Sequence, residues 1–413
     1  MKKYLRVFFV VFTYLFVFIS FLYADITTEI VSGSSVGIIV SLFEPKGSSN
    51  FIGTVELRGN TVVRCDVNGN VIYQATRAVS GARAIEPIYN SSGLITDFNV
   101  FSGAGTTKNG ITSFNFNLTS SVRKSSWESP ISGEVMYPKM SIRNADGTSI
   151  YFSYNTKGVQ MMKTDANDQP VWTQMKTLDL SGLGLTAPSI AGISVTQNGG
   201  DIILAVSCGQ RGANDNVSNH NLAIFNLNGE GERNQAPVTF DYGGLFGEDM
   251  IADIISQNGE IYVLGNSFTT TADRSYYLHL DGNLAYGVDD IYGFDLESQI
   301  YDAAINPDGL IYVAGTKIGD NNDSLIGWIN SLDPTQFEFN YLNLGNKDFL
   351  STIDWTLDGA IAGGSIDFTS ATRVTYTKAP DNPGQNPVPE PATLLLFGSG
   401  LIGLAFAGRK RCS

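Results

Sequence analysis

The sequence predicts an all-β fold for the region between its two apolar ends. No stretch of useful length in this region repeats its apolar residues with the 3.6-residue period of a helix. Short β-branched or alternating runs occur instead, and many of them are separated by Asn-Gly or Asp-Gly pairs. Such pairs favour the tight turns that join antiparallel strands. Several of these turns also recur at a regular distance, which indicates an internal repeat.

The repeat is clearest in the second half of the chain, where Gly259, Gly309 and Gly359 follow one another every 50 residues. Each copy runs from an apolar strand through a turn glycine into a second, buried apolar strand. Glycine tolerates the positive φ that a tight turn needs, so we predict a hairpin for each copy. The copies, the first of which is the least regular, are residues 142–152, 195–205, 254–265, 304–315 and 354–364.

A second predicted hairpin follows each copy, as in residues 222–229 and 276–286. Two hairpins make a four-stranded sheet, and sheets repeated around an axis make a β-propeller. We predict one propeller of seven blades; six or eight are alternatives because residues 85–135 lack a clear copy. The last blade ends after three strands near Tyr376, and a strand at 27–31 could complete it and close the ring. The predicted blades are residues 37–76, 85–135, 138–178, 191–240, 251–291, 301–344 and 351–378.

These repeats resemble the delta-60 and related propeller repeats of bacterial surface proteins. The resemblance lies in the order of an Asp-Gly turn, an apolar strand, Ala-Gly and a later Asn-x-Asp-Gly, and it is best over residues 190–370. It implies the same propeller fold and a location outside the cytoplasm. We therefore expect the propeller domain to occupy residues 25–380.

The N-terminus is typical of a secretory signal peptide, residues 1–24. Three basic residues within the first six positions precede an apolar stretch at 7–22, and a small residue, Ala24, precedes Asp25. Cleavage is predicted between Ala24 and Asp25. An uncleaved membrane anchor is the alternative, because the apolar stretch is long and rich in aromatic residues.

The C-terminus has three parts: a Pro389-Glu390-Pro391 motif, an apolar segment at 392–408 and a basic ending. The prolines keep the motif extended. As a helix, the apolar run reaches roughly 24 Å at about 1.5 Å per residue, slightly less than the ~30 Å core of a bilayer. Positive charge stays on the cytoplasmic side, so the basic ending places the C-terminus there. The basic residues are Arg409, Lys410 and Arg411.

This three-part tail resembles the PEP-CTERM sorting signal of bacteria that make exopolysaccharide. The resemblance covers residues 389–413, and residues 381–388 are predicted to be a stiff polar linker. It implies that an exosortase, a membrane-embedded cysteine transpeptidase, is a partner that processes the chain near Pro389-Glu390-Pro391. Export, transient anchoring and final placement at the cell surface follow from it. A plain C-terminal anchor is the alternative.

The charge excludes a nucleic-acid partner. The net charge is −14, and six of the 26 basic residues and one of the 40 acidic residues, Glu390, lie in the two terminal signals, so 20 basic residues remain against 39 acidic ones. Such a surface repels polyanions. Of the three cysteines, Cys412 lies in the predicted cytoplasmic ending, and Cys65 and Cys208 are predicted to be buried and unpaired rather than bridged.

No motif for catalysis or for a transition metal is present. The two histidines, His220 and His279, lie far from each other and from any cysteine cluster. Two carboxylate-rich stretches resemble half of a calcium loop, but both lack its glycine and its distal glutamate, so solvated loops between strands are the favoured interpretation. The stretches are residues 165–168 and 319–324, of which the second supplies the weak calcium candidates Asp320, Asn322 and Asp323.

We therefore expect a non-catalytic, exported surface or matrix protein without a cofactor, associated with exopolysaccharide or with other surface proteins. One alternative is a secreted propeller hydrolase or lyase that acts on polysaccharide, and another is a calcium-dependent adhesion module. A pair of converging carboxylates at the mouth of the central channel would favour the enzyme. A flat polar face with aromatic patches would favour binding alone.

Overall fold

Alternating apolar residues between tight turns form twenty-eight strands in the described part of a computed structural model. They make seven antiparallel sheets of four strands each. The prediction of a seven-bladed, all-β propeller is therefore confirmed. The structure describes residues 26–30, 38–43, 51–56, 61–66, 70–75, 82–90, 92, 95–103, 107–130, 135–211, 217–242, 248–268, 273–294, 297–319, 322–345, 347–356, 359–367 and 370–376.

The strands follow one another outward within each blade, so the first strand of each blade lies nearest the axis. Blades one to three consist of β2 (Ile38–Phe43), β3 (Phe51–Glu56), β4 (Thr61–Cys65) and β5 (Val71–Ala75); β6 (Ala84–Tyr89), β7 (Ile95–Ser102), β8 (Lys108–Asn115) and β9 (Ser121–Glu128); and β10 (Tyr137–Arg143), β11 (Ser149–Asn155), β12 (Gly158–Thr164) and β13 (Lys176–Thr177).

The remaining blades have the same arrangement. Blades four to seven consist of β14 (Pro188–Asn198), β15 (Asp201–Arg211), β16 (Val217–Leu227) and β17 (Val238–Phe240); β18 (Glu248–Gln257), β19 (Glu260–Phe268), β20 (Asp273–Leu280) and β21 (Ile291–Gly293); β22 (Ser298–Ile305), β23 (Leu310–Lys317), β24 (Asp323–Asn330) and β25 (Phe337–Leu342); and β26 (Asp348–Thr356), β27 (Gly359–Ile366), β28 (Ser370–Tyr376) and β1 (Ile26–Ile30). A short 3-10 turn, Val288–Asp290, precedes β21.

The N-terminal strand closes the ring. β1 pairs antiparallel with β28, so that Ile26 lies opposite Tyr376 and Ile30 lies opposite Thr372. The predicted closing strand at 27–31 and the predicted last strand near Tyr376 are both confirmed. Because β1 supplies the outer strand of the seventh blade, β28 is not left as a free edge.

The turn glycines of the repeat adopt positive φ, as predicted. The values are 91° at Gly259, 84° at Gly309 and 152° at Gly359. In the copy at 195–205 the residue with positive φ is Gly199, at 61°. An L-residue with a side chain rarely adopts these angles, which explains why glycine recurs at the turns.

A β-bulge recurs in the first strand of six blades. In each of these six first strands, the register with the second strand passes over one residue, which we call the skipped residue. The second strand often has a glycine there: Gly315 lies opposite Ile300 beside the bulge, and a Cβ on Gly315 would lie only 1.9 Å from the backbone oxygen of Gln299. Bulges bend a strand and redirect the side chains around them. The skipped residues are Val40, Lys139, Ala191, Ala252, Tyr301 and Ser351.

Apolar clusters fill the spaces between neighbouring blades. Between blades four and five, Ile203 and Ile224 pack with Val263 and Leu278, and all four are buried. The fully buried large side chains include five tyrosines, so most aromatic residues serve the core rather than a surface. The tyrosines are Tyr151, Tyr276, Tyr277, Tyr312 and Tyr376.

The two cysteines in the propeller are buried and free, as predicted. Burial raises the pKa of the Cys65 thiol to about 12 and that of Cys208 also to about 12. Both thiols therefore stay protonated at ordinary pH, and a protonated thiol is a poor nucleophile.

Residues Asp25–Thr377 form one structural unit. The predicted signal peptide with Ala24 and Asp25, the linker at 381–388 and the tail at 389–413 lie outside the described residues. Among the residues that are described, no helix is long and apolar enough to cross a membrane.

Candidate functional site

The first strands of the blades surround a cavity of about 920 Å³. Blades one, two, three, five, six and seven contribute its walls. Pockets of this size bind small molecules or short segments of a polymer. The side chains with functional potential on these walls are Arg83, Glu86, Tyr89, Tyr137, Lys139, Arg143, Tyr154, Asp253, Asp302 and Asp354.

Two aspartates face this cavity from equivalent positions of neighbouring blades. Asp253 on β18 and Asp302 on β22 each come directly after the skipped residue of a bulge. Both side chains are partly exposed. The repeat therefore places two carboxylates at one level of the channel, although 49 positions separate them in the sequence.

The two carboxylates make different hydrogen bonds. Oδ1 of Asp253 accepts hydrogen bonds from the Ser194 hydroxyl at 2.5 Å and from the Ile254 backbone NH at 2.9 Å. Oδ2 of Asp302 accepts one from the backbone NH of Ile353 at 2.9 Å. The bonds from Ser194 and Ile353 connect the first strands of adjacent blades, and the bond from Ile254 fixes the local backbone.

The surroundings also shift the two carboxyl groups differently. Burial, followed by the negative charge of Asp302, raises the pKa of Asp253 to about 7. Burial also raises the pKa of Asp302, and the charge of Lys139 is the largest effect that opposes it. Two nearby carboxylates cannot both ionise freely, so the first proton to leave makes the second harder to remove. At neutral pH the Asp253 carboxyl group therefore keeps part of its proton, and the pair holds a proton more readily than an isolated carboxyl group does.

Lys139 is the cation of this cluster. It is the skipped residue of the bulge in β10, it lines the same cavity and it is partly buried. Its positive charge lowers the pKa of both Asp253 and Asp302. Within the described part of the chain no carboxylate lies within 4.0 Å of its amine, so it acts on both aspartates at longer range.

Tyrosines form another part of the wall. Tyr89 is 50% exposed and Tyr137 is 37% exposed, although few aromatic residues in the described part of the propeller are exposed. The rings of Tyr137 and Tyr154 lie 5.8 Å apart. Burial raises the pKa of Tyr154, and the nearby charge of Arg83 partly offsets this. Exposed rings in a concave site provide flat apolar surfaces beside polar groups.

A buried network holds the second and third blades together next to the cavity. Oε1 of Glu86 accepts a hydrogen bond from the Ser149 hydroxyl at 2.9 Å. Its Oε2 accepts one from the Tyr151 hydroxyl at 2.9 Å and one from the Asn99 amide at 3.0 Å. The guanidinium of Arg143 lies 3.3 Å from the same oxygen. A buried carboxylate needs this many donors to offset its lost hydration.

Asp168 completes this network. Its Oδ1 accepts a hydrogen bond from Asn99 at 2.9 Å and lies 3.5 Å from Arg143. Burial raises the pKa of Asp168, and the hydrogen bond from Asn99 opposes the rise. Because Arg143 is held by two buried carboxylates, it is less able than Lys139 to respond to a ligand.

The predicted calcium candidates do not converge in the described residues. Asp320 lies outside them, Asn322 forms a bridge to Lys347, and Asp323 begins β24 opposite Lys317. Among the described residues, no group of three or more His, Cys, Asp or Glu side chains could hold a metal ion.

The other carboxylate-rich stretch, 165–168, is a hairpin turn. Oδ1 of Asp165 accepts hydrogen bonds from the backbone NH groups of Asn167 and Gln169, at 2.8 and 2.9 Å. The same arrangement occurs at Asp281, whose Oδ1 accepts from Asn283 and Ala285. Such side chains stabilise the turn between the third and fourth strands. The stretch at 165–168 is thus a loop between strands as predicted, but it is not fully solvated, because Asp168 is buried.

The histidines serve local contacts. His279 lies 2.8 Å from Glu260 and stacks on Tyr262 with ring centroids 5.3 Å apart. His220 is buried, and this burial lowers its pKa despite a carboxylate of Glu248 at 3.8 Å. Neither residue lines the channel cavity.

Sequence reasoning missed Asp253, Asp302 and Lys139. The aspartates share a place in the repeat, since each follows by two positions the residue paired with a repeat glycine, Gly265 or Gly315, but the sequence alone gives no signal of this pairing. For Lys139 no signal existed either, since blade three is a less regular copy of the repeat.

Fold and tail together define a propeller protein with a sorting signal at its C-terminus. Residues 387–411 match the PEP-CTERM protein-sorting motif. This motif implies processing by an exosortase, export with transient anchoring through the tail, and final placement at the surface. The predicted likeness to delta-60 repeats stays a prediction.

Solved structures of similar fold are known, whereas no curated protein sequence matches the chain. Two of the structures are of a polysaccharide lyase, the PL25 ulvan lyase, one of them bound to -[GlcA(1-4)Rha3S]-. Each has a TM-score of 0.60 and 10% sequence identity, and the match covers 86% of this chain and 96% of that chain. At this identity the similarity shows the fold alone.

Proposed function

We propose that this protein is an exported surface protein whose propeller channel binds a segment of extracellular polysaccharide. The observation that carries the proposal is the cavity itself, where exposed tyrosines lie beside charged and hydrogen-bonding groups. Aromatic rings stack on the apolar faces of sugar rings, and polar groups then fix the orientation of the hydroxyls. The volume of about 920 Å³ leaves room for several sugar units.

The sorting tail supports this proposal, because it resembles the signal found in bacteria that make exopolysaccharide. In the proposed pathway a signal peptidase cleaves between Ala24 and Asp25, and the exosortase acts at Pro389-Glu390-Pro391. The apolar segment at 392–408 holds the chain in the membrane until then. The propeller is thereby placed where extracellular polymers occur.

The solved structures of similar fold also support a carbohydrate ligand. The protein in those structures is a polysaccharide lyase with a saccharide bound in one of them. At 10% identity this does not carry over residues or substrate. The propeller channel of this chain has its own lining, in which Tyr89 and Tyr137 are the exposed aromatic residues.

A binding experiment with the full chain in detergent tests the proposal. The probes are the matrix polysaccharide of a bacterium that carries exosortase, polygalacturonate and dextran, each immobilised on a sensor surface. We expect wild-type protein to bind at least one polymer, and the double variant Tyr89→Ala/Tyr137→Ala to bind it at least tenfold more weakly. The matched control is Tyr286→Ala, since Tyr286 is also 37% exposed but lies outside the cavity.

Two results would contradict the proposal. One is the absence of binding to all three polymers by folded wild-type protein. The other is equal weakening by Tyr286→Ala and by the channel variant, because the polymer would then contact the outer surface.

A further inference from the structure

We propose that the channel is also a hydrolytic site, in which Asp253 is the acid and Asp302 the base that cleave a glycosidic bond. The inference rests on the proposed function, because a polysaccharide must first occupy the channel. It adds an activity to that function and names the two residues that perform it.

The geometry of the cavity carries this proposal. Asp253 and Asp302 follow equivalent bulges of neighbouring blades and both face the space that Tyr89 and Tyr137 line. Hydrolysis of a glycosidic bond uses two carboxyl groups on either side of one sugar linkage. A sugar held against the tyrosines would therefore meet both aspartates in the same cavity.

Asp253 keeps an oxygen for this role, and Asp302 is held in a fixed orientation. Both hydrogen bonds that Asp253 accepts in the described part of the chain end on Oδ1, which leaves Oδ2 for a ligand. The backbone NH of Ile353 fixes Oδ2 of Asp302 and so orients its carboxylate. Groups held in this way by their own hydrogen bonds are already placed for reaction.

We assign the acid to Asp253 because its Oδ2 is left to carry a proton, whereas Asp302 accepts hydrogen bonds from Ile353, Thr352 and Ala303 that favour its carboxylate form. Burial raises the pKa of both aspartates, the charge of Asp302 raises that of Asp253 further, and Lys139 and backbone NH groups favour the charged form of both. With its pKa at about 7, Asp253 holds a proton for part of the time near neutral pH, and repulsion between the two charges favours the state with one proton over the state with both groups ionised. A carboxylic acid beside a carboxylate is the combination that general acid–base catalysis needs.

The reaction balances without any further reagent. Asp253 donates its proton to the glycosidic oxygen, the bond from that oxygen to the anomeric carbon breaks, and its electron pair stays on the oxygen. A water molecule forms a new bond to the anomeric carbon, and Asp302 accepts the proton that the water loses. The products are two shorter saccharides, one with a new reducing end, and proton exchange with solvent restores the pair.

A purely structural role is the competing explanation. Asp253 and Asp302 both accept hydrogen bonds from neighbouring blades, and an asparagine oxygen could accept the same bonds. Asparagine can neither donate a proton as an acid nor remove one from water. The substitutions Asp253→Asn and Asp302→Asn therefore separate structure from catalysis.

The test measures reducing ends released by the full chain from a polymer that wild-type protein binds. We expect each Asn variant to keep binding and to lose at least about 100-fold in rate, which is a usual contribution of a general acid or base. Asp201→Asn is the control, because Asp201 lies on β15 outside the cavity and accepts hydrogen bonds from Asn226 and Asn234. It should keep the wild-type rate.

A pH profile provides a readout that a structural role would not change. The wild-type rate should fall above about pH 7, where Asp253 loses its proton. Lys139→Gln removes a charge that lowers the pKa of both aspartates, so its whole profile should move to higher pH. A profile that is the same in wild type and in Lys139→Gln would overturn the assignment of Asp253 and Asp302.

Other outcomes distinguish this proposal from the one on which it rests. Binding without any release of reducing ends refutes hydrolysis and leaves the binding function standing. Products that absorb at the wavelength of unsaturated uronates refute hydrolysis in favour of a lyase reaction. If wild-type protein binds none of the polymers, the binding function itself fails.

Discussion

Replacing Gly315 by alanine should destabilise the propeller because the bulge beside it leaves no room for a methyl group. The new Cβ would lie 1.9 Å from the backbone oxygen of Gln299, and real Cβ atoms essentially never approach closer than 3.0 Å. The backbone would therefore have to move by roughly 1 Å, which disturbs the pairing of β22 with β23. Overpacking that shifts the backbone lowers the free energy of unfolding by about 1–3 kcal/mol. Because the backbone cannot move aside as a flexible side chain can, we expect a loss at the upper end of this range, about 3 kcal/mol.

That free energy gives a measurable change in melting temperature. An unfolding entropy of about 2.1 cal/mol/K per residue amounts to roughly 0.7 kcal/mol/K for a domain of about 350 residues. A loss of about 3 kcal/mol should therefore lower the Tm by about 4 °C, measured by scanning calorimetry at one scan rate. The control is Gly200→Ala, because Gly200 has open space around its Cβ position and no positive φ.

Gly200→Ala should leave the Tm within about 1 °C of the wild-type value. If Gly315→Ala also melts within about 1 °C of wild type, the glycine does not serve the bulge and the explanation of the repeat fails. A second readout follows from the position of Asp302, two residues beyond the partner of Gly315. Movement of the bulge should weaken any activity that depends on Asp302.

Three further predictions concern a turn, the buried network and the tail. Gly309→Val should destabilise the propeller by more than about 1 kcal/mol, because Gly309 has a φ of 84° and a Cβ there would lie 3.0 Å from the Ser331 hydroxyl. An unchanged Tm would contradict the assignment of Gly309 to a strained turn position. Glu86→Ala should lower the free energy of unfolding, measured by urea denaturation, by about 3 kcal/mol, because it leaves buried donors without their acceptor. Glu86→Gln keeps an acceptor oxygen and should lower it less. Equal losses in the two variants would exclude the network as the cause. Glu390→Ala should leave a longer, membrane-bound protein in blots of membrane and medium fractions; release equal to that of wild type, or release that does not need the exosortase, would reduce the tail to a plain anchor.

The fold was predictable because its determinants are local and repeated. Turn glycines such as Gly259 and Gly309 need positive φ, so they stand in the sequence at the spacing of the blades. Apolar alternation then marks the strands between them. Even the closing strand was predictable, since a blade that stops at Tyr376 lacks a fourth strand and β1 is the segment left to supply it.

The candidate site was not predictable because it depends on closure of the ring. Asp253 and Asp302 belong to different repeats, and Lys139 belongs to a third. In the sequence these aspartates look like Asp165 or Asp281, whose carboxylates only stabilise hairpin turns. What distinguishes them is the bulge before each one, and a bulge has no fixed sequence pattern.

The same glycine–bulge arrangement connects the stability of the propeller to the chemistry of its channel. The residue that follows each bulge differs between the blades of this chain while its backbone pairing is kept. Most of these residues line the cavity, where serine, methionine, aspartate and threonine all occur. The repeat can therefore keep its glycines for packing while this one position changes the polarity of the channel. We therefore expect related propellers to differ most in function at the residue after the bulge of the first strand. In this chain Asp253 and Asp302 occupy that position, where the strand pairing does not determine the side chain. The residues after the bulges are Ser41, Met140, Gly192, Asp253, Asp302 and Thr352.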